Sequence, residues 1–378
     1  MDFIDGNILY YLAIVGLSFL LSTSAIPSII HIALKYRLFD DADSHRKLHR
    51  AQISRLGGVA IFCAFTITIL LFATTVDYQA ANFLITSCII LFGLGLKDDL
   101  YGVNPSTKFM LQMVVAIILV VLGDFRLSSL YGVLFLWEVN FFFGGIFSIV
   151  LIIFVNNAFN LIDGMDGLAG TIGVITTLSF GLFFAIGNEL PYAFIAFAMA
   201  GAIGGFLVFN YSPAKIFMGD TGALLIGLVS VILAIKFIEL NKIGQIPNPN
   251  FYSAPAIAVA VLLVPVFDSL RVFFIRILHK KSPFTGDRNH IHHRLQQLGF
   301  STKKILVALT VFNVGMIFFA VTLQNLGNFV LISLLISICV VFNSIITYKL
   351  GKKNDANYRL SDVFTKDTFP RGRSEASL

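Results

Sequence analysis

Residues 305–348 read ILVALTVFNVGMIFFAVTLQNLGNFVLISLLISICVVFNSIITY, without one charged side chain from Ile305 to Tyr348. A helix crosses the hydrocarbon of a bilayer in about 20 apolar residues. The run is too long for one crossing, and the interruption Asn325-Leu326-Gly327-Asn328 divides it into two helices. A surface helix of a soluble domain would show a charged face at helical period; neither half has one.

Reading outward from charge to charge gives nine more apolar spans: Asn7–Leu34, Leu56–Val76, Tyr78–Leu96, Phe109–Gly123, Val139–Ile162, Gly167–Asn188, Leu190–Ala214, Thr221–Leu240 and Tyr252–Leu278. The expected fold class is an all-α polytopic membrane protein with about eleven transmembrane helices. Residues 1–350 form one transmembrane domain, and residues 351–378 a polar, flexible tail. Composition agrees: of 378 residues 57% are hydrophobic and only 13% charged, with a mean hydropathy of +0.86. A soluble chain carries about 25% charged residues.

The net charge of +6 does not argue for nucleic acid, because the basic residues lie between apolar segments. Lys35, Arg37, Arg46, Lys47, Arg50, Arg55, Lys97, Lys108, Lys215, Lys280, Lys281, Arg288, Arg294, Lys303, Lys304 and the tail fall on one side; Arg126 and Lys242 fall on the other, with Lys236 near its edge. The positive-inside rule makes the first side cytoplasmic, with the N-terminus out and the C-terminus in. Cys63, Cys88 and Cys339 sit in apolar stretches and read as core residues, not disulfides or zinc ligands. The N-terminus lacks a basic start and a small-residue cleavage site, so the first helix is expected to be retained. The aromatic-rich residues 125–143 are expected to form a small hairpin on the outer side.

Five polar clusters follow alternate helices and so reach the same side: Asp40 to Gly58, Lys97-Asp98-Asp99, Asn157 to Gly167, Asn210 to Gly222, and Thr285 to Arg294. Asp98, Asp99, Asp163, Asp166 and Asp220 at the bilayer centre would cost roughly 12–18 kcal/mol together, so they belong at helix ends around a polar cleft. Gathered there they repel one another unless a cation intervenes, and oxygen ligands without cysteine favour Mg²⁺ or Mn²⁺. Arg46, Lys47, His49, His290, His292, His293 and Arg294 form a counterset suited to phosphate oxygens. Acids for a metal beside bases for an anion compose a phosphoryl-transfer site. Asp166 is positioned to cap the helix starting at Gly167, and Phe217-Met218-Gly219-Asp220-Thr221-Gly222 opens a helix whose N-terminus suits an anion. Asp268 and Arg271, one turn apart, read equally as a structural ion pair or a substrate contact. Lys108 reads as a snorkelling anchor, yet its place beside the acid pair sets it among the candidates.

Two rivals fit less well. A di-iron desaturase needs several histidine boxes, and with seven histidines, two of them isolated, no third box can be built. A transporter is expected to keep its ionisable residues near mid-membrane.

The run Asn157-Ala158-Phe159-Asn160-Leu161-Ile162-Asp163-Gly164-Met165-Asp166-Gly167-Leu168-Ala169-Gly170 closely resembles the signature of the polyprenyl-phosphate N-acetylhexosamine-1-phosphate transferases. Arg46-Lys47-Leu48-His49, Asp98-Asp99, Asn210-Tyr211-Ser212-Pro213-Ala214-Lys215, Phe217-Met218-Gly219-Asp220 and the His290–Arg294 loop match in family order. The resemblance implies transfer of a sugar 1-phosphate from a UDP-N-acetylhexosamine to a polyprenyl phosphate in the bacterial inner membrane, with UMP as the other product. It implies catalytic Asp98 and Asp99, with Asp98 accepting the lipid phosphate's proton. Asp220 and Asp163 would serve Mg²⁺, and Lys47, His49, Lys108, Asn160, Asp166, Asn210, His290, His292, His293 and Arg294 the substrates. His290-Ile291-His292-His293 resembles the N-acetylglucosamine-using branch; the alternative is the phospho-MurNAc-pentapeptide transferase branch. Asp43 and Ser54 stand where many relatives have proline, and Ala223 where many have serine. The sequence leaves a homodimer, the sugar and the downstream polymer open.

Overall fold

A computed structural model of the chain describes residues 2–38, 53–72, 79–133, 137–242, 251–278, 289–355, 358–359 and 361–362. The helices are α1 (Asp2–Tyr36), α2 (Gly57–Phe72), α3 (Gln79–Tyr101), α4 (Pro105–Ile117, continued by a π turn Ile118–Leu122), α5 (Phe141–Ile162), α6 (Leu168–Ile186), α7 (Leu190–Asn210), α8 (Gly219–Leu240), α9 (Ala254–Val261), α10 (Leu263–Leu278), α11 (Ile291–Gln297), α12 (Thr302–Thr322) and α13 (Asn328–Asn354). Among the described residues the only β pairing is an isolated antiparallel bridge, Ser129 to Glu138. It lies in the segment expected to form a hairpin.

The chain is a polytopic membrane protein in build. Among the described residues eight helices are long and apolar enough to cross a bilayer, or nine if the bent pair α9–α10 is one span. The expected count of eleven is not reached on those criteria. α2 has 16 residues, and α3 gives its last turns to Lys97, Asp98 and Asp99.

α8 is the axis. It is apolar on every side and buried along almost its whole length, as a helix surrounded by other helices must be; α2, α3, α5, α6, α7 and α9 pack around it. α1 lies along α7, where Ser18 Oγ donates to the Ala198 carbonyl at 2.7 Å. The outer faces are apolar, with Leu70, Phe142, Val311, Phe318 and Val341 all exposed. An exposed apolar belt of this extent needs lipid to cover it.

α9 and α10 meet at a 78° bend. Pro265 has no N–H for the Val261 carbonyl, so the ladder fails just ahead of it, and Asn313 of α12 donates to the Ala260 carbonyl at 3.0 Å. α10 is inverted relative to a soluble helix. Leu270, Phe274 and Ile277 are exposed, whereas Asp268, Arg271 and Arg276 are buried. At the end of the bundle away from the aspartates, Glu239 accepts from Ser128 N at 2.9 Å, Ser128 Oγ at 2.7 Å and Tyr131 Oη at 3.0 Å, which ties Ser128 and Tyr131 to α8.

Candidate active site

The acid pair at the end of α3 divides its work. Asp99 accepts from the backbone N–H of Asp220 at 2.8 Å, and from Thr221 through its N–H at 3.0 Å and its hydroxyl at 2.6 Å. The first N–H groups of a helix have no intrahelical partner, and Met218 supplies no side-chain cap. Asp99 therefore caps α8 from another helix. The approach is close enough that a Cβ on Gly95 would lie 2.5 Å from Thr221 Cα. Gly219 has φ +70°, and a Cβ there would meet Arg55 O at 2.2 Å and Asp99 Oδ2 at 2.6 Å, which explains the glycine before Asp220.

Asp98 faces the other way. Its Oδ1 accepts from Val103 N–H at 2.6 Å and its Oδ2 from Lys108 Nζ at 3.1 Å. Pro105 starts α4 at its first turn, where a missing N–H costs nothing, and sets Lys108 opposite the acids. The Lys108 ammonium also bonds Asp220 Oδ2. With its amide oriented to satisfy both neighbours, Asn160 of α5 donates to Asp220 Oδ1 at 3.1 Å and accepts from Lys108 Nζ at 3.0 Å. One turn earlier, Asn157 donates to Gln112 Oε1 of α4 at 2.7 Å. Gln112 was missed in the sequence; a lone amide inside an apolar helix was its signal.

The turn after α5 carries Asp163 and Asp166. Burial pushes the Asp163 carboxyl well above the usual range; nearby Asp99 and Asp166 add to this, and Arg55 opposes it. Asp166 does not cap α6: Gly167 holds that position with φ +77° and no side-chain bond, and Asp166 accepts from Ala214 N–H at 3.2 Å. Asn210 is 3% exposed and has both ends of its amide engaged, accepting from Gly167 N–H at 2.9 Å and donating to the Ile216 carbonyl at 2.8 Å. It clamps the two loops together.

The histidine loop lies over this turn. Asp268 accepts from Arg271 Nη2 at 2.8 Å and from Ile291 N–H at 3.0 Å, and bonds His290 Nδ1 at 2.9 Å, so it caps α11 and orients His290 together. His292 stacks parallel to His290 at 5.9 Å and lies 4.2 Å from the His293 ring. A Cβ on Gly164 would sit 2.9 Å from His292 Nε2. Both ring nitrogens of His292, and Nε2 of His290, have no hydrogen-bond partner among the described residues. Burial holds the His292 imidazolium down to about 3, with His293 contributing, so the ring is neutral near pH 7. Arg294 is tethered to α13, donating to Asn343 Oδ1 and Thr347 Oγ1 at 2.5 Å each. Lys47 and His49 lie outside the described residues.

Among the described residues no three of His, Cys, Asp and Glu form a ready metal cage. Magnesium does not require one, since it is bound by one or two carboxylates together with substrate phosphates and water. Asp220 and Asp98 share a bound cationic group, the Lys108 ammonium, and their oxygens suit a hard ion.

These acids, the lysine knot and the histidine-covered turn, set at one end of a lipid-facing helical bundle, define a membrane-embedded group-transfer site. Residues 80–238 match the glycosyl transferase family 4 model. Bacillus subtilis (strain 168) has a relative named "Probable undecaprenyl-phosphate N-acetylglucosaminyl 1-phosphate transferase", 31% identical over 87% of this chain and 89% of the relative. A decaprenyl-phosphate N-acetylglucosaminephosphotransferase of Mycolicibacterium smegmatis is 33% identical over 72% of each chain. The undecaprenyl-phosphate alpha-N-acetylglucosaminyl 1-phosphate transferase of Escherichia coli (strain K12) is 28% identical over 72% of each. The chain belongs to this family of polyprenyl-phosphate N-acetylhexosamine-1-phosphate transferases.

Proposed function

We propose that the chain transfers N-acetylglucosamine 1-phosphate from UDP-N-acetylglucosamine to a polyprenyl phosphate and releases UMP, as the first membrane step of a bacterial cell-envelope polysaccharide. The observation that carries the reading is the meeting of Asp98, Lys108, Asn160 and Asp220 from four helices beside a turn covered by His292, whose ring nitrogens have no hydrogen-bond partner among the described residues. The names of the relatives support the sugar and the lipid. The lysine and arginine bias supports a cytoplasmic site in the inner membrane and an outside N-terminus, and the apolar runs of the sequence support eleven crossings.

In this reaction an oxygen of the lipid phosphate attacks the phosphorus bearing the sugar, and the bond to the UMP oxygen breaks. A bound magnesium ion, or manganese in its place, would supply neutralisation of the diphosphate and stabilise UMP as leaving group; Asp220 and Asp163 are the residues to hold it. Asp98 takes the proton of the lipid phosphate. Asp99 fixes the α8 terminus so that Asp220 is presented rigidly, and Lys108 faces the phosphates as a point charge. The neutral His292 and the Asp268-oriented His290 offer to the nucleotide sugar the ring nitrogens that have no partner among the described residues.

Purified protein in detergent should release UMP from UDP-N-acetylglucosamine only when polyprenyl phosphate and Mg²⁺ are both supplied. UMP release that ignores the lipid, or none with any UDP-N-acetylhexosamine, would overturn the assignment.

A further inference from the structure

The Lys108 ammonium has three acceptors: Asp98 Oδ2 at 3.1 Å, Asp220 Oδ2 and the Asn160 amide oxygen at 3.0 Å. Three is the full donor capacity of an ammonium. The other Asp220 oxygen receives the Asn160 N–H at 3.1 Å, so both oxygens of this carboxylate are engaged. The side chains are largely shielded, with Lys108 and Asp98 each 16% exposed.

A divalent ion held by Asp220 would bind a carboxylate oxygen directly. An ammonium on the same carboxylate edge is then held against a second, stronger positive charge, and one of the two must leave. The main chain of Asp220 is held in place, because its N–H donates to Asp99 at 2.8 Å. Lys108 can move: its charge rides on a flexible four-carbon stem, and Asp98 continues to attract it.

Resting on the metal reading above, we propose that Lys108 is an internal stand-in for the divalent cation. It holds Asp98 and Asp220 together before the ion loads, yields Asp220 to the ion, and is thereby released toward the phosphates of the donor. Metal loading and the arming of Lys108 are then one event. A lysine that was only a substrate contact would not respond to metal alone.

Two measurements without substrate test this. In the full-length wild-type protein in detergent, acetylation of Lys108, followed by peptide mass spectrometry, should speed up at least fivefold when Mg²⁺ is added. Exposed Lys215 should be unaffected. An unchanged or slower rate at Lys108 overturns the proposal. Binding of Mn²⁺, followed by electron paramagnetic resonance, should be at least fivefold tighter in Lys108→Met than in wild type and lost in Asp220→Asn. Equal or weaker binding in Lys108→Met refutes the stand-in role and leaves the metal site standing. Absence of Mn²⁺ binding in both wild type and Lys108→Met removes the metal reading and this inference together.

Discussion

Asp98→Asn and Asp99→Asn change neighbouring residues by the same atom and should fail in different ways. In Asp99→Asn the amide keeps one acceptor and turns an N–H₂ group toward donors that now lack a partner. The Oδ2 edge accepts two bonds from Thr221, a residue with 0% exposure. At about 1 kcal/mol for each lost bond, plus roughly 0.3–1 kcal/mol for the lost charge at the α8 terminus, the variant loses about 2–3 kcal/mol. Unfolding entropy of roughly 2.1 cal/mol/K per residue turns this into a melting shift of about 3–4 °C for a chain of 378 residues. Asp98→Asn keeps an acceptor for Val103, and Lys108 keeps Asp220 and Asn160, so it loses one bond and should cost about 1 kcal/mol. The assay is thermal unfolding in detergent beside UMP release. Asp98→Asn should melt near wild type with turnover abolished; Asp99→Asn should lose both melting temperature and turnover. Equal melting of the two variants, or wild-type stability in Asp99→Asn, would refute the division of labour within the pair.

Three further outcomes are expected. Asn210→Leu strands the Gly167 N–H and the Ile216 carbonyl and should cost about 2–4 kcal/mol, seen as a lower melting temperature; a pure rise in KM would make Asn210 a substrate contact instead. His292 is neutral in the folded chain, with its imidazolium held down to about 3, whereas an unfolded histidine takes up a proton below about pH 6.5. Its contribution to stability is therefore whole above pH 6.5 and is lost as pH falls toward 3, amounting to about 2 kcal/mol at pH 5. His292→Gln should flatten the acid limb of the melting-temperature profile, and an unchanged limb would contradict this. Asp220→Asn should abolish turnover while the protein remains inserted and folded; full activity would remove Asp220 from the site.

Much of this was legible in the sequence because it is written locally. Charge-free runs give helices wherever they occur, and acids too costly for the hydrocarbon must meet at an end of the bundle, as Asp98 and Asp220 do around Lys108. Roles set by a partner distant in the chain were not legible. Asp99 caps a helix that starts more than a hundred residues later, Asn210 spends its amide on two loops, and Arg294 is anchored on α13. Composition marks each as polar and near the site. Only packing decides whether its hydrogen bonds face the protein or the substrate.

The most direct measurement follows phosphorus. UDP-N-acetylglucosamine carrying ³²P in the phosphate bonded to the sugar is incubated with the protein, polyprenyl phosphate and Mg²⁺, and the mixture is partitioned between butanol and water. Phosphoryl transfer puts the label in the lipid phase and leaves unlabelled UMP in the water. Label remaining in the water as UDP, with the sugar alone on the lipid, would contradict the proposed chemistry.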